Sequence, residues 1–127
     1  MTDIERNKQV VRDFCEVVFN VKQPADAAQR FMGAEHIQHN PTAPDGKDGF
    51  IEFATAFVTQ APDLNLEIRT MIAEYDLVMA HSLLKITPDD AGMVVVDFFR
   101  LEENKIVEHW DVMQPFPETS ANDHPMF

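Results

Sequence analysis

The spacing of apolar residues changes once along this chain, and the change falls at Pro62. Before it, Ile4, Val10, Val11, Phe14, Cys15, Val17 and Val18 recur at helical spacing behind Thr2 and Glu5, a capping-box pair. That predicts a helix over residues 3–19. Pro24 suits a first helical position and Gly33 a helix end, which predicts a second helix over 24–32. Phe50, Phe53, Ala54, Phe57 and Val58 predict a third over 47–60, with Asp45 as its N-cap. Between the last two, AEHIQHN reads as a short strand ending at Pro41. Beyond Pro62 the period becomes two: Leu64, Leu66, Ile68, Thr70 and Ile72 alternate with polar residues, and 77–86 is apolar on both faces. Residues 93–115 form a hairpin turned at Glu103-Asn104, where Asn tolerates the positive φ of a type I′ turn. Residues 114–127 hold three prolines and no period, and read as a coil tail with an apolar end. Helices first and strands after predict one α+β domain, 1–127. Its expected form is a cone-shaped half-barrel, with three N-terminal helices packed on the concave face of a curved antiparallel sheet and a cavity between them.

Composition narrows the partners. A net charge of −12 repels nucleic acid and anionic lipid. No apolar run approaches the ~18 residues of a membrane span, and the charged N-terminus lacks a signal-peptide core. Cys15 is the single cysteine, so no intrachain disulfide forms, and a cytoplasmic setting is expected. No phosphate loop or nucleotide fingerprint is present, so no cofactor is expected.

The hairpin concentrates ionisable groups in apolar strands, where a carboxylate is costly unless paired or facing a cavity. A two-residue turn pairs Glu102 with Lys105. Regular pairing then sets Asp97 opposite Trp110, Val95 opposite Val112 and Phe99 opposite Glu108 on one face. The other face holds Val96 opposite Asp111 and Phe98 opposite His109. The same reasoning at Tyr75-Asp76 sets His81 opposite Thr70, with its face open. Both hairpin faces are mostly apolar, so the helices cover one and a homodimer through the outer face of the sheet is expected to cover the other.

QHNP with its following glycine (38–46), the hairpin VVVDFFRLEENKIVEHWDV (94–112) and the element order resemble the SnoaL-like branch of the nuclear transport factor two-like superfamily. The resemblance spans the chain to about residue 114. It implies a cone-shaped α+β barrel, commonly dimeric, and polyketide-cyclase-like aldol chemistry on a small apolar molecule by a cavity aspartate without metal or cofactor. Ketosteroid isomerases and limonene epoxide hydrolases of this superfamily line their cavities with an aspartate on the penultimate strand and a tryptophan on the last. Asp97 and Trp110 look like that pair, which implies that their face is the inner one. His109 and Asp111 then lie toward the dimer, unless a bulge rotates them inward. Asn40 stands where the isomerases carry their basic aspartate, and Phe14 where they carry a tyrosine. Val95 and Val112 stand where the hydrolases carry an arginine and a second aspartate. Both departures argue against those two reactions.

The catalytic candidates are therefore Asp97, His39 and His81. Asp97 as a neutral acid donates to a developing enolate; as a plain structural group it bonds Trp110. His39 or His81 acts as base; otherwise His39 belongs to the turn chemistry of HNP, and His81 is a core histidine bonded to Thr70. Asn40 is a carbonyl donor, and Trp110, Phe14, Phe57, Phe99 and Val112 form ligand-binding walls. His109 and Asp111 are secondary candidates, a dyad or an interface ion pair with Arg100. Cys15 belongs to the core. No HxxxH or HExxH spacing occurs, and a metal site assembled from His39, His81, His109 and Asp97 is not expected.

Overall fold

The computed structural model describes residues 2–127. The chain runs α1 (Asp3–Cys15), a π-helical turn (Glu16–Asn20), α2 (Pro24–Phe31), β1 (Met32–Gln38), α3 (Lys47–Gln60), β2 (Asn65–Glu74), β3 (Leu77–Lys85), β4 (Met93–Glu102) and β5 (Lys105–Pro115). The last four strands form an antiparallel meander. β1 returns beside β5 in parallel, so the sheet order is β1-β5-β4-β3-β2. Three helices against one unclosed, curved sheet make the α+β half-barrel that the change of period implied.

Local chemistry explains most of these boundaries. The Thr2 hydroxyl accepts from the Glu5 backbone N–H at 3.2 Å, and the Glu5 carboxylate accepts from the Thr2 N–H at 3.1 Å, so the capping box is complete. The helix predicted to 19 does continue past Cys15, but widened into the π-helical turn. Asn20 leaves it facing β2, donating Nδ2–H to the Leu66 carbonyl at 3.0 Å and accepting the Leu66 N–H at 2.8 Å. Its side-chain amide thus occupies an edge that would otherwise stay open to another strand. Two expectations fail. Gly33 does not end α2 but lies inside β1, where an added Cβ would stand 2.8 Å from Val107 Cγ1. Asp45 does not cap α3; the N-cap is Gly46, and Asp45 Oδ1 accepts the Gln38 N–H at 2.8 Å, tying the loop to β1.

The core lies between the helices and the concave sheet face. Val11, Phe14 and Val18 meet Val78, Val95, Phe99 and Ile106 there, all nearly inaccessible to water. Each such side chain contributes about 1.5–3 kcal/mol of hydrophobic stabilisation. Along β3, Val78, Ala80, Ser82 and Leu84 point inward, leaving Met79, His81 and Leu83 on the convex face. Among the described residues no helix is long and apolar enough to cross a membrane.

The hairpin register departs from regular pairing at one residue. Glu103 and Asn104 both take positive φ, 50° and 64°, and Glu102 pairs with Lys105 and Leu101 with Ile106 as expected. Arg100 then pairs with Glu108, leaving Val107 as a bulge. The bulge keeps two successive apolar residues, Ile106 and Val107, out of water, and Gly33 leaves room for Val107 from the neighbouring strand. Every residue from Glu108 onward is thereby turned to the face opposite the expected one.

Candidate active site

Because of that one residue, Asp97 faces Asp111 and Phe99 faces His109 across the inner surface, while Phe98 faces Trp110 outside. The sheet and helices enclose a cavity of about 380 Å3, within the range of small-molecule sites. Its walls are apolar: Phe14, Phe50, Phe53, Phe57, Phe99 and Leu84 are among them. Its polar end gathers His36, Gln38 and Asn40 from β1 and its exit with Asp97, His109 and Asp111 from the hairpin.

Of the sequence candidates, Asp97, Asn40, Phe14, Phe57 and Phe99 line this cavity, and so do His109 and Asp111, expected outside it. Four others do not. His39 follows Gln38 on the opposite face of an extended segment, where its ring stacks on Trp110 at 4.7 Å and its Nε2 meets Glu108 at 2.7 Å. Trp110 and Val112 are carried outward by the bulge, and Val112 is 66% exposed. His81 does sit opposite Thr70 as expected, but on the convex face, packed 5.3 Å from the ring of Phe127. The Arg69 guanidinium lies 4.1 Å from the same ring, so the apolar end of the tail covers part of the outer sheet.

The inner polar groups form one connected network. Asp97 Oδ1 lies 2.8 Å from His109 Nε2, and His109 Nδ1 lies 2.7 Å from Gln38 Oε1. Asp111 accepts from the Asn40 amide through both oxygens, at 2.9 and 3.1 Å, and one of them stands 3.9 Å from His109 Nε2. The other end of the Asn40 side chain is fixed by Thr42, whose N–H and hydroxyl both donate to Asn40 Oδ1. The loop after β1 therefore orients a carboxylate on β5.

Burial sets the direction of the pKa shifts here. Desolvation raises the Asp97 pKa above its ordinary value, against the lowering effect of His109, and the Asp111 charge adds to the rise. His36 is pushed down to about 4, first by burial and then by the charge of His109, with Asp45 opposing. His36 is thus a neutral imidazole, and its Nδ1 has no partner among the described residues. Burial also pushes the Cys15 thiol well up, which leaves an inert core side chain.

Asp97, His109 and Asp111 bring donor atoms within 4.8 Å of one another, a set chemically able to hold a cation. The set weighed from the sequence is not assembled, since His39 and His81 lie on the other face. Sequence reasoning passed over His36 and Gln38. The signal was alternation: His36, Gln38 and Asn40 share one face of an extended segment, and His39 necessarily takes the other.

A family model described as SnoaL-like polyketide cyclase matches residues 9–117. No curated protein matches the sequence. Among solved structures, TsrD from Streptomyces laurentii superposes with a TM-score of 0.73 at 19% identity, covering 89% of this chain and 91% of that one. A candidate polyketide cyclase from Acidithiobacillus ferrooxidans gives 0.75 at 18% identity, with 89% and 91% covered. A candidate ketosteroid isomerase from Kribbella flavida gives 0.75 at 16% identity, with 96% and 87% covered. These structures share the fold.

Proposed function

We propose, for a chain that belongs to the SnoaL-like polyketide cyclase family, a cofactor-independent acid–base enzyme acting on an apolar carbonyl compound. The observation that carries the reading is the cluster of Asp97, His109 and Asp111 at one end of an otherwise apolar cavity. Asp111, held by Asn40, removes a proton from the carbon next to a carbonyl. The proton shared by Asp97 and His109 hydrogen-bonds the enolate oxygen, and as the enolate carbon forms the new C–C bond to a second carbonyl of the same molecule, that proton passes to the alkoxide oxygen formed there. The Asp111 proton then resets the Asp97–His109 pair, so no atom is gained or lost. Low-dielectric walls strengthen each of these interactions. The cavity lining includes no arginine, which argues further against epoxide hydrolysis.

The test is proton exchange in D2O with a panel of apolar 1,3-dicarbonyl compounds, followed by NMR. The wild type should exchange the α-proton of at least one compound, and Asp111→Asn should not. Binding without exchange across the panel would instead support a non-catalytic ligand-binding module, a reading favoured by the fact that both ring nitrogens of His109 already have protein partners.

The convex face supports a second copy of the chain as partner. Ile72, Leu77, Phe98 and Val112 are exposed there. Light scattering should give twice the monomer mass and Val112→Lys should halve it; a monomer mass for the wild type rejects the dimer.

A further inference from the structure

Two donors converge on one oxygen at the back of the site. Gln38 Oε1 accepts the Asn40 backbone N–H at 3.1 Å and lies 2.7 Å from His109 Nδ1. A backbone N–H only donates, so the end of the Gln38 side chain facing it is the carbonyl and not the NH2. A carbonyl oxygen only accepts, so the ring nitrogen 2.7 Å away must carry a hydrogen. The Gln38 NH2 then has only hydrogens to offer, and it sits 3.5 Å from His36 Nε2. That contact favours a lone pair on His36 Nε2, which places the His36 proton on Nδ1, the nitrogen with no partner among the described residues.

We propose that Gln38 is a positioning residue that fixes both His109 and His36 in the Nδ1–H form, and thereby confines one proton to the gap between His109 Nε2 and Asp97 Oδ1. The backbone of Asn40 is the fixed point from which both assignments follow. With Nδ1 committed to Gln38, a bare Nε2 facing an ionised Asp97 at 2.8 Å would set two lone pairs against each other. The pair therefore keeps its shared proton, on Asp97 or on the ring. Without an acceptor at position 38, a neutral His109 is free to move its hydrogen to Nε2 and bond an ionised Asp97, and the transferable proton is gone. The charged and titratable groups around the His109 ring are Asp97 on β4, Asp111 on its own strand and His36 on β1, with Asp45 acting on His36 from the loop. His36 stays neutral down to about pH 4, so its lone pair toward Gln38 persists through the neutral range.

The inference rests on the proposed function only for its kinetic meaning, because ring protonation is readable without a substrate. Two-bond 1H–15N correlation spectra of 15N-histidine-labelled protein, assigned by single substitution of His36 and His109, should show Nδ1 protonated on both rings near pH 7. Gln38→Met should switch His109 to Nε2–H. Gln38→Glu should separate the two rings: its carboxylate still accepts from His109 Nδ1–H, but has no hydrogen for His36, which should turn to Nε2–H. Wild-type His109 with a bare Nδ1, or both rings unchanged in Gln38→Glu, overturns the proposal. Should Gln38→Met fail to fold, the wild-type and Gln38→Glu spectra decide alone. The expected spectra from a protein without α-proton exchange would leave the role of Gln38 standing and remove the enzymatic reading.

Discussion

Glu108 and His109 are neighbours on β5, and each joins a carboxylate–imidazole pair. On the convex face His39 meets Glu108 at 2.7 Å; in the cavity His109 meets Asp97 at 2.8 Å. The two contacts are chemically alike, yet the carboxyl groups move in opposite directions. Glu108 is held below its ordinary pKa by hydrogen bonds from His39 and then Arg100, which also reaches Glu102. Asp97 is raised because burial outweighs the help it receives from His109. A histidine partner does not by itself make a carboxyl acidic or basic; the solvent around the pair decides. The outer pair belongs to a surface ion cluster with Arg100, and the inner one lies buried at the polar end of the cavity.

The contrast should be widest in catalysis. Asp97→Asn or Asp111→Asn should lower the α-proton exchange rate by roughly 10²–10⁴-fold, the usual range for a general acid or base. Glu108→Gln should change it less than about threefold. Equal losses from both sides would end the distinction between the faces.

In stability the test is a pair of adjacent aromatics. Phe99→Ala should lose about 3–5 kcal/mol in urea denaturation, since Phe99 is 4% exposed and packs on Phe14. Phe98→Ala, at 38% exposed, should lose about 1 kcal/mol or less in dilute protein, where a dimer contributes least.

Acid sharpens the comparison further. The unfolded chain protonates His36 near 6.5 while the folded one resists to about 4, so stability is full above pH 6.5 and falls as pH drops through that window. The loss should be roughly 2 kcal/mol after screening, and His36→Phe should abolish that part of the pH profile. Asp97 works with the opposite sign. A carboxyl raised on folding contributes stability at low pH that is lost as pH rises through its folded pKa, so the stability of Asp97→Asn relative to wild type should grow from acid to neutral pH. The smallest effect belongs to the surface: His39→Ala should shift stability by less than about 1 kcal/mol, as exposed ion pairs do.

The sequence by itself determined the elements and the general architecture. Capping at Thr2, the phenylalanine stripe of α3, the turn at Glu103-Asn104 and the alternation after Pro62 are local signals, and local forces act on them directly. It also supplied Asp97, Asn40, Phe14, Phe57 and Phe99 as residues that come to line the cavity. Which face each hairpin residue takes was decided by tertiary structure. Regular pairing is the default for a two-residue turn, and the bulge at Val107 depends on room that Gly33 makes from a strand some seventy residues earlier in the chain. One extra residue exchanged Trp110 and Val112 for His109 and Asp111 inside the cavity. His39 illustrates the other limit: a histidine beside an asparagine looks like a pair on paper, but neighbours in an extended chain point apart. The pKa shifts of Asp97 and His36 were decided last, by burial, which exists only once the helices have closed over the sheet.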